Sequence, residues 1–299
     1  MKLYRDVVPA ITPRKSAGKL VQPWTLFSNN DDEVEVLCRE RVAPTYIGNG
    51  QMLSRVLGRF KFLTDTSDVG FAPHIIMDGY WEMWLTRWMV ETVQQGWTAL
   101  DVGSNFGYYS VLLAELVGAD GRLLAFDPNP QCAQATEFSL SINAFGARSE
   151  VHEVALSNTS GNCAFFVPHG EPKNGHLVFG GTHATGDEYS DGGTSFNVPI
   201  ETLDSITEGL ERVDFVKIDA EGGEQGIFEG MARTIERHNP LIIMEYNSIR
   251  GDSSSFADQL KAVYPNARYL DEREGVCDLN YDQLATERMG QDWLLILKK

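Results

Sequence analysis

The chain has 299 residues, 42% hydrophobic and 22% charged, an ordinary globular composition with enough apolar material for a large core. Its 42 acids against 25 lysines and arginines leave a formal charge of −17, and no Lys/Arg run or basic–aromatic interleaving is present, so nucleic acid and anionic membrane are excluded as first partners. No stretch offers the roughly 18 uninterrupted apolar residues of a membrane span, residues 1–20 lack an apolar signal core, and Cys38, Cys132, Cys163 and Cys277 show no C-x-x-C spacing, so reduced thiols and a cytoplasmic location are expected.

Residues 1–78 read as an N-terminal extension or cap with short strands, and 79–299 as a single α/β domain. "SNNDDEVEVLCRER" suggests at most one short amphipathic strand, and "SRVLGRFKFLTD" a strand or hairpin arm. In "YWEMWLTRWMVETVQQG" the residues Trp81, Trp84, Leu85, Trp88 and Met89 fall at helical spacing, with Gly96 at the position of a C-cap. A regular alternation follows: strand "TALDVG", helix "YYSVLLAELVG", strand "RLLAFDP", helix "PQCAQATEFSLSINAFG", strand "SEVHEVALS". Strands separated by helices imply right-handed crossovers and a parallel sheet. "VDFVKIDAEG" and "PLIIMEYN" supply two more strands around the helix "GEQGIFEGMARTIERHN", and "ARYLDEREG" and "DWLLILKK" close the chain. Val167 to Pro199, rich in Gly, Ser, Thr, Asn and Asp, reads as an aperiodic active-site loop.

In such a sheet, ligands bind beyond the carboxyl ends of the strands where strand order reverses. The first strand-to-helix turn, "DVGSNFG", places Gly103, Ser104, Asn105 and Gly107 there, with the following helix presenting free N–H groups to an anion. The dinucleotide fingerprint would need glycine at Asn105 and Tyr108, so the cradled anion is small, such as an amino-acid carboxylate, and Asp101 suits its ammonium group. Asp127, ending the second strand in "FDPNP", is the carboxylate for ribose hydroxyls. Phe126, Pro128, Asn129 and Glu153 to Leu156, including Ala155 and Leu156, fall where an adenine would be enclosed. Adenosine joined to a zwitterion describes S-adenosylmethionine. Taken singly, each feature has a plainer reading: a tight turn, Asp127 as a helix N-cap, aromatics as core.

"ALDVGSNFGYYSVLLAELVGADGRLLAFDPNP", the block "TLDSI…VDFVKIDAEGGEQGIFEGMARTI…PLIIME" and the upstream "DGYWEMWLTRWM" resemble the FkbM family of S-adenosylmethionine-dependent methyltransferases from about Gly50 onward. The resemblance implies a Rossmann-like, seven-stranded class I methyltransferase sheet with helices on both faces, mostly parallel, with "DWLLILKK" as its one antiparallel strand beside the fifth. It implies O-methylation of a hydroxyl on a small-molecule acceptor, a sugar, polyketide or related metabolite. An alcohol must lose its proton as the bond forms, and the base candidates are Asp219, Glu221 and Glu245 at the ends of the fourth and fifth strands, with His183 in the Gly-rich loop. Asp219 and Glu221 share a side if the strand persists, and Glu221 is alternatively a helix cap. Asp219 also stands beside the cofactor, and Glu82 and Trp81 line it from the leading helix. A magnesium ion held by the acids, and a homodimer contact or lid from the N-terminal extension, are further expectations. A nucleotide-dependent oxidoreductase and a non-catalytic scaffold are the rival classes.

Overall fold

The computed structural model describes residues 31–178, 192–250, 253–284 and 286–299. It opens on helix α1 (Asp31–Arg41) and an antiparallel sheet of β1 (Thr45–Gly48), β2 (Gln51–Val56) and β3 (Phe60–Asp65). The acidic segment expected as a strand is thus a helix. Its alternating valines mislead, because only Val34 is buried, together with Cys38 one turn on, while Val36 is exposed. Glu35 and Arg39 pair along the solvent side at 3.1 Å. The hairpin β2–β3 forms as expected.

Helices α2 (Ala72–Met77) and α3 (Met83–Thr92) follow. α3 stops at Val93, whose extended backbone ends it, so Gly96 is not its cap; the Gly96 N–H instead reaches the Val117 carbonyl at 2.7 Å. Next come β4 (Thr98–Val102), α4 (Tyr108–Val117), β5 (Arg122–Phe126), α5 (Pro130–Ile142) and β6 (Ser149–His152). β7 (Ala155–Leu156), β8 (Gly161–Pro168), β9 (His176–Val178) and β10 (Gly193–Glu201) form a second, four-stranded sheet. The rest is α6 (Leu203–Thr207), β11 (Phe215–Ile218), α7 (Glu224–Glu229), α8 (Ala232–His238), β12 (Leu241–Asn247), α9 (Ser253–Val263), β13 (Arg268–Asp271), β14 (Gly275–Asp278), α10 (Tyr281–Leu284) and β15 (Asp292–Leu297).

The main sheet runs β14-β13-β15-β12-β11-β4-β5-β6. β6, β5, β4, β11 and β12 are mutually parallel, and β15 lies antiparallel between β12 and β13. This is the expected doubly wound sheet, with β15 in the antiparallel place beside the fifth strand. β14 adds an eighth strand at one edge. β4 and β11 are buried at every position, as strands covered by helices on both faces must be. Strand order reverses between them.

Two expected elements are divided. "SEVHEVALS" leaves the main sheet after His152, and β7 pairs in parallel with β10 instead. The helix after β11 breaks at Gly230, where a side chain would meet the Ser157 carbonyl. The segment read as an aperiodic loop carries the end of β8, a 3-10 turn at Pro172–Asn174, β9 and β10; in β10, Ser195, Val198 and Ile200 point inward, a pattern hidden by the small polar residues around them. His183 lies outside the described residues.

One hydrophobic cluster joins Val34, Phe62 and Ile75 of the N-terminal segment to Met89, Leu112 and Phe145 around the main sheet. The four cysteines are free, Cys38 and Cys132 buried. Among the described residues no helix is long and apolar enough to cross a membrane.

Gly230 has an ordinary φ of −77°, yet a Cβ there would stand 2.1 Å from the Ser157 oxygen. Gly230→Ala is expected to cost about 1–3 kcal/mol in urea unfolding, whereas Gly209→Ala, which meets nothing within 4 Å, changes stability by less than about 0.5 kcal/mol.

Candidate functional site

A cavity of about 290 Å3 opens at the carboxyl ends of β4, β5, β11 and β12, walled also by the segment before β4 and by the small sheet with its 3-10 turn. It lies at the point where strand order reverses, where a doubly wound sheet leaves a crevice.

The turn after β4 is tighter than its glycines suggest. Gly103, at φ +72°, passes so close to the next chain crossing that a Cβ would fall 1.7 Å from the Asp219 carbonyl oxygen. Gly103, Ser104 and Asn105 line the cavity. Their amides are already engaged: Gly103 and Ser104 N–H both donate to the Phe126 carbonyl at 3.0 Å, and Asn105 N–H donates to Asp127 Oδ2 at 2.7 Å. Gly107 does not reach the cavity. Its φ of +88° and its approach to Thr136, 2.7 Å from an added Cβ, serve the packing of α4 on α5.

Asp101 is also displaced from its expected role. Its side chain is 0% exposed, accepts from Ser110 Oγ at 2.6 Å and sits 3.5 Å from Lys217 Nζ, sealed beneath the turn rather than facing a ligand. Asp127 faces the cavity, holding Asn129 N–H on Oδ1 and Asn105 N–H on Oδ2. Burial pushes its carboxyl up to about 7 despite those two bonds. Each oxygen keeps a second lone pair for a hydroxyl donor. Asn129 turns away, its Oδ1 accepting from Gln131 N–H at 3.1 Å, so the N-cap of α5 is Asn129 and not Asp127. Phe126, Pro128, Val154, Ala155 and Leu156 provide apolar wall, while Glu153 points to solvent.

From the segment before β4 come Trp81 and Glu82. Glu82 is left-handed, at φ 37°, an uncommon state for a non-glycine residue and one found where structure holds a side chain to a task. Tyr109 OH donates to its Oε2 at 2.6 Å, and burial raises its carboxyl above the usual range.

The other end of the cavity is a charge cluster. β11 ends at Ile218, and Glu221 takes a left-handed φ of 48°, so Asp219 and Glu221 do not share a strand face; both nevertheless line the cavity with Glu245. Glu221 does not cap the next helix. The N-cap position is Gly223, without a side-chain bond, and Glu224 at the start of the helix instead braces the preceding turn, its carboxylate accepting from Ala220 N–H at 2.8 Å and Gly222 N–H at 3.0 Å. Arg250 bridges Glu221, at 2.9 Å, to Glu245, with Asp292 3.7 Å away. Burial and the Asp219 charge push the Glu221 carboxyl up to about 7, and burial with Asp219 and Asp292 raises Glu245 against the pull of Arg250. Among the described residues no group of three or more His, Cys, Asp or Glu is arranged to hold a metal ion, and the magnesium expected from the sequence finds no support there.

Lys217, Arg250, Asp292, Tyr109 and Lys173 are cavity residues that sequence reasoning did not single out. For Lys217 a signal existed: a lone cation inside the buried run "FVKI" requires a buried partner. Asp101 at 3.5 Å is that partner, the part-exposed Asp219 stands at 3.4 Å on the other side, and the ammonium donates to the Gly103 carbonyl at 3.2 Å. Lys217→Met leaves the Asp101 charge buried and uncompensated, an expected loss of about 3–5 kcal/mol in urea unfolding; the pair Lys217→Met with Asp101→Asn recovers part of it.

The family described as "Methyltransferase FkbM domain" matches residues 101–270. Methyltransferase sdnD of Sordaria araneosa is 24% identical over 154 residues, 44% of this chain and 59% of that protein, so the chain spans less than two thirds of that relative. Hexuronic acid methyltransferase AglP of Haloferax volcanii is 26% identical over 190 residues, 58% of this chain and 70% of that protein. The crystal structure of Methyltransferase FkbM from Methylobacillus flagellatus KT is similar at a TM-score of 0.42 and 14% identity, over 68% of this chain and 43% of that one. The family match runs from β4 to β13, more than half of the sequence, and takes in both the turn after β4 and the acids after β11: the chain belongs to the FkbM methyltransferase family.

Proposed function

We propose that this chain is an S-adenosylmethionine-dependent O-methyltransferase acting on a hydroxyl of a small molecule, a sugar or secondary metabolite. The observation that carries the reading is a single cavity joining Asp127 and its apolar surround to an acid cluster at the ends of β11 and β12. The residues fit the donor: Asp127 has lone pairs for two ribose hydroxyls, and Phe126, Pro128 and Val154 to Leu156 offer apolar surface to adenine. The name of AglP, a hexuronic acid methyltransferase, favours a sugar among the acceptors.

When bound, S-adenosylmethionine supplies an already activated methyl group. What remains for the protein is to align the acceptor oxygen, exclude water and take its proton. Glu221 suits the last task, since its carboxyl sits at about 7, near working pH, and Arg250 at 2.9 Å fixes its direction. Asp219, tied to Lys217 at 3.4 Å, is the orienting acid between donor and acceptor, and Glu245 is occupied by Arg250.

Calorimetric titration tests the cofactor half. S-adenosylhomocysteine is expected to bind and NAD is not, with Asp127→Ala weakening the former by about 10- to 100-fold. Tight NAD binding would return the oxidoreductase class, and binding of neither would return the scaffold. For the base, turnover at saturating donor, where Asp127 is already engaged, across a panel of hydroxylated sugars and polyketides supplies kcat/KM for the acceptor against pH. A base must be ionised to accept a proton, so the wild-type rate rises as pH climbs through about 7 and levels above it. Glu221→Gln is expected to lose this rise and about 10²–10⁴ in rate while binding S-adenosylhomocysteine normally; an unaltered profile would move the role to Asp219 or Glu245.

A further inference from the structure

A zwitterionic amino-acid tail needs one anion and one cation, and the partners foreseen for it in the turn after β4 are spent. The amides of Gly103, Ser104 and Asn105 donate within the protein, and Asp101 is sealed under Lys217 and Ser110. Among the described residues three basic side chains line the cavity, and two are committed: Lys217 to Asp101 and Asp219, and Arg250 to Glu221, Glu245 and Asp292.

The third is Lys173, in the 3-10 turn between β8 and β9. Its stem lies over Gly70, where an added Cβ would come 2.7 Å from Cε, and its ammonium stands 5.5 Å from the centre of the Trp81 ring. Among the described residues it has no carboxylate partner within ion-pair distance. Glu82, next in sequence to Trp81, also faces the cavity, and among the described residues its carboxylate accepts one hydrogen bond, from Tyr109, which leaves acceptor capacity on both oxygens. The two charges lie near enough for Lys173 to act on the Glu82 carboxyl, yet they do not pair. A built cation and a built anion on one wall, each unsatisfied by the other, match a ligand that carries both signs.

Resting on the cofactor reading above, we propose that Lys173 and Glu82 form the clamp for the amino-acid end of the donor, Lys173 holding its carboxylate and Glu82 its ammonium. Both come from outside the main sheet, one from the inserted sheet's 3-10 turn and one from the segment before β4. The sheet then serves the adenosine end, through Asp127, and the inserted parts serve the amino acid.

The test compares two probes that share the adenosine: S-adenosylhomocysteine, with the amino-acid tail, and 5′-methylthioadenosine, without it. In calorimetry Lys173→Met and Glu82→Gln are each expected to weaken the first by about 10- to 100-fold and leave the second within twofold, which also shows that the variants are folded. Lys173→Arg should retain most of the affinity. Unchanged S-adenosylhomocysteine binding in Lys173→Met, or an equal loss for both probes, overturns the clamp and redirects Lys173 to an anion on the acceptor or to a packing role. Failure of the wild type to bind either probe overturns the cofactor reading, and the clamp with it.

Discussion

The arrangement rests on one buried cation. Lys217 sits in the middle of the main sheet, its ammonium between Asp101 of β4 and Asp219 at the end of β11, with the Gly103 carbonyl as a third partner. A lone lysine in that place would cost several kcal/mol in desolvation. Paired as it is, it ties the two strands between which the order reverses, and so it sets where the crevice opens. Asp219 is drawn over the end of β4, and Gly103 must be glycine because the Asp219 carbonyl passes directly above it.

The remainder of the cavity follows from that closure. With the turn drawn tight, its amides turn inward to Phe126 and Asp127, and Asp127 becomes a relay: it fixes Asn105 and Asn129 while its free lone pairs face the opening. Charge is segregated along the pocket. Apolar wall lies beside Asp127, and the acids gather around Arg250 at the far end, where burial and then the neighbouring Asp219 charge lift Glu221 into the range useful for proton transfer.

Much of this was legible from the residues alone. Alternating apolar runs and helical spacings name the strands and their connections, and an acid at the end of the next strand, about twenty residues beyond a glycine-rich corner, points to Asp127. What failed did so for identifiable reasons. The alternation in "EVEVL" cannot be told from a helix whose inner face is Val34 and Cys38, so α1 read as a strand. Gly103 and Gly107 look alike in sequence, but one meets a crossing backbone and the other Thr136 of α5, contacts set by tertiary packing. Asp101 and Asp219 look alike in sequence and both pair with Lys217, but Asp101 lies inside β4 and is sealed while Asp219 stands just past the end of β11 and is open to the pocket, a difference of depth in the sheet that the residue types do not carry. Arg250 left no mark, because its partners are five, twenty-nine and forty-two positions away along the chain.

The shared core of the N-terminal segment bears on how the protein is made. The Lys61 backbone is held by the Asn143 side chain, 82 residues later, and the Phe60 ring packs on Phe145. At about 5–20 residues per second, a nascent chain exposes the apolar face of β3 for roughly 4–16 s before its partner helix leaves the ribosome. During synthesis the early hairpin therefore waits uncovered for α5, and its docking is a late, long-range event in the folding of this chain.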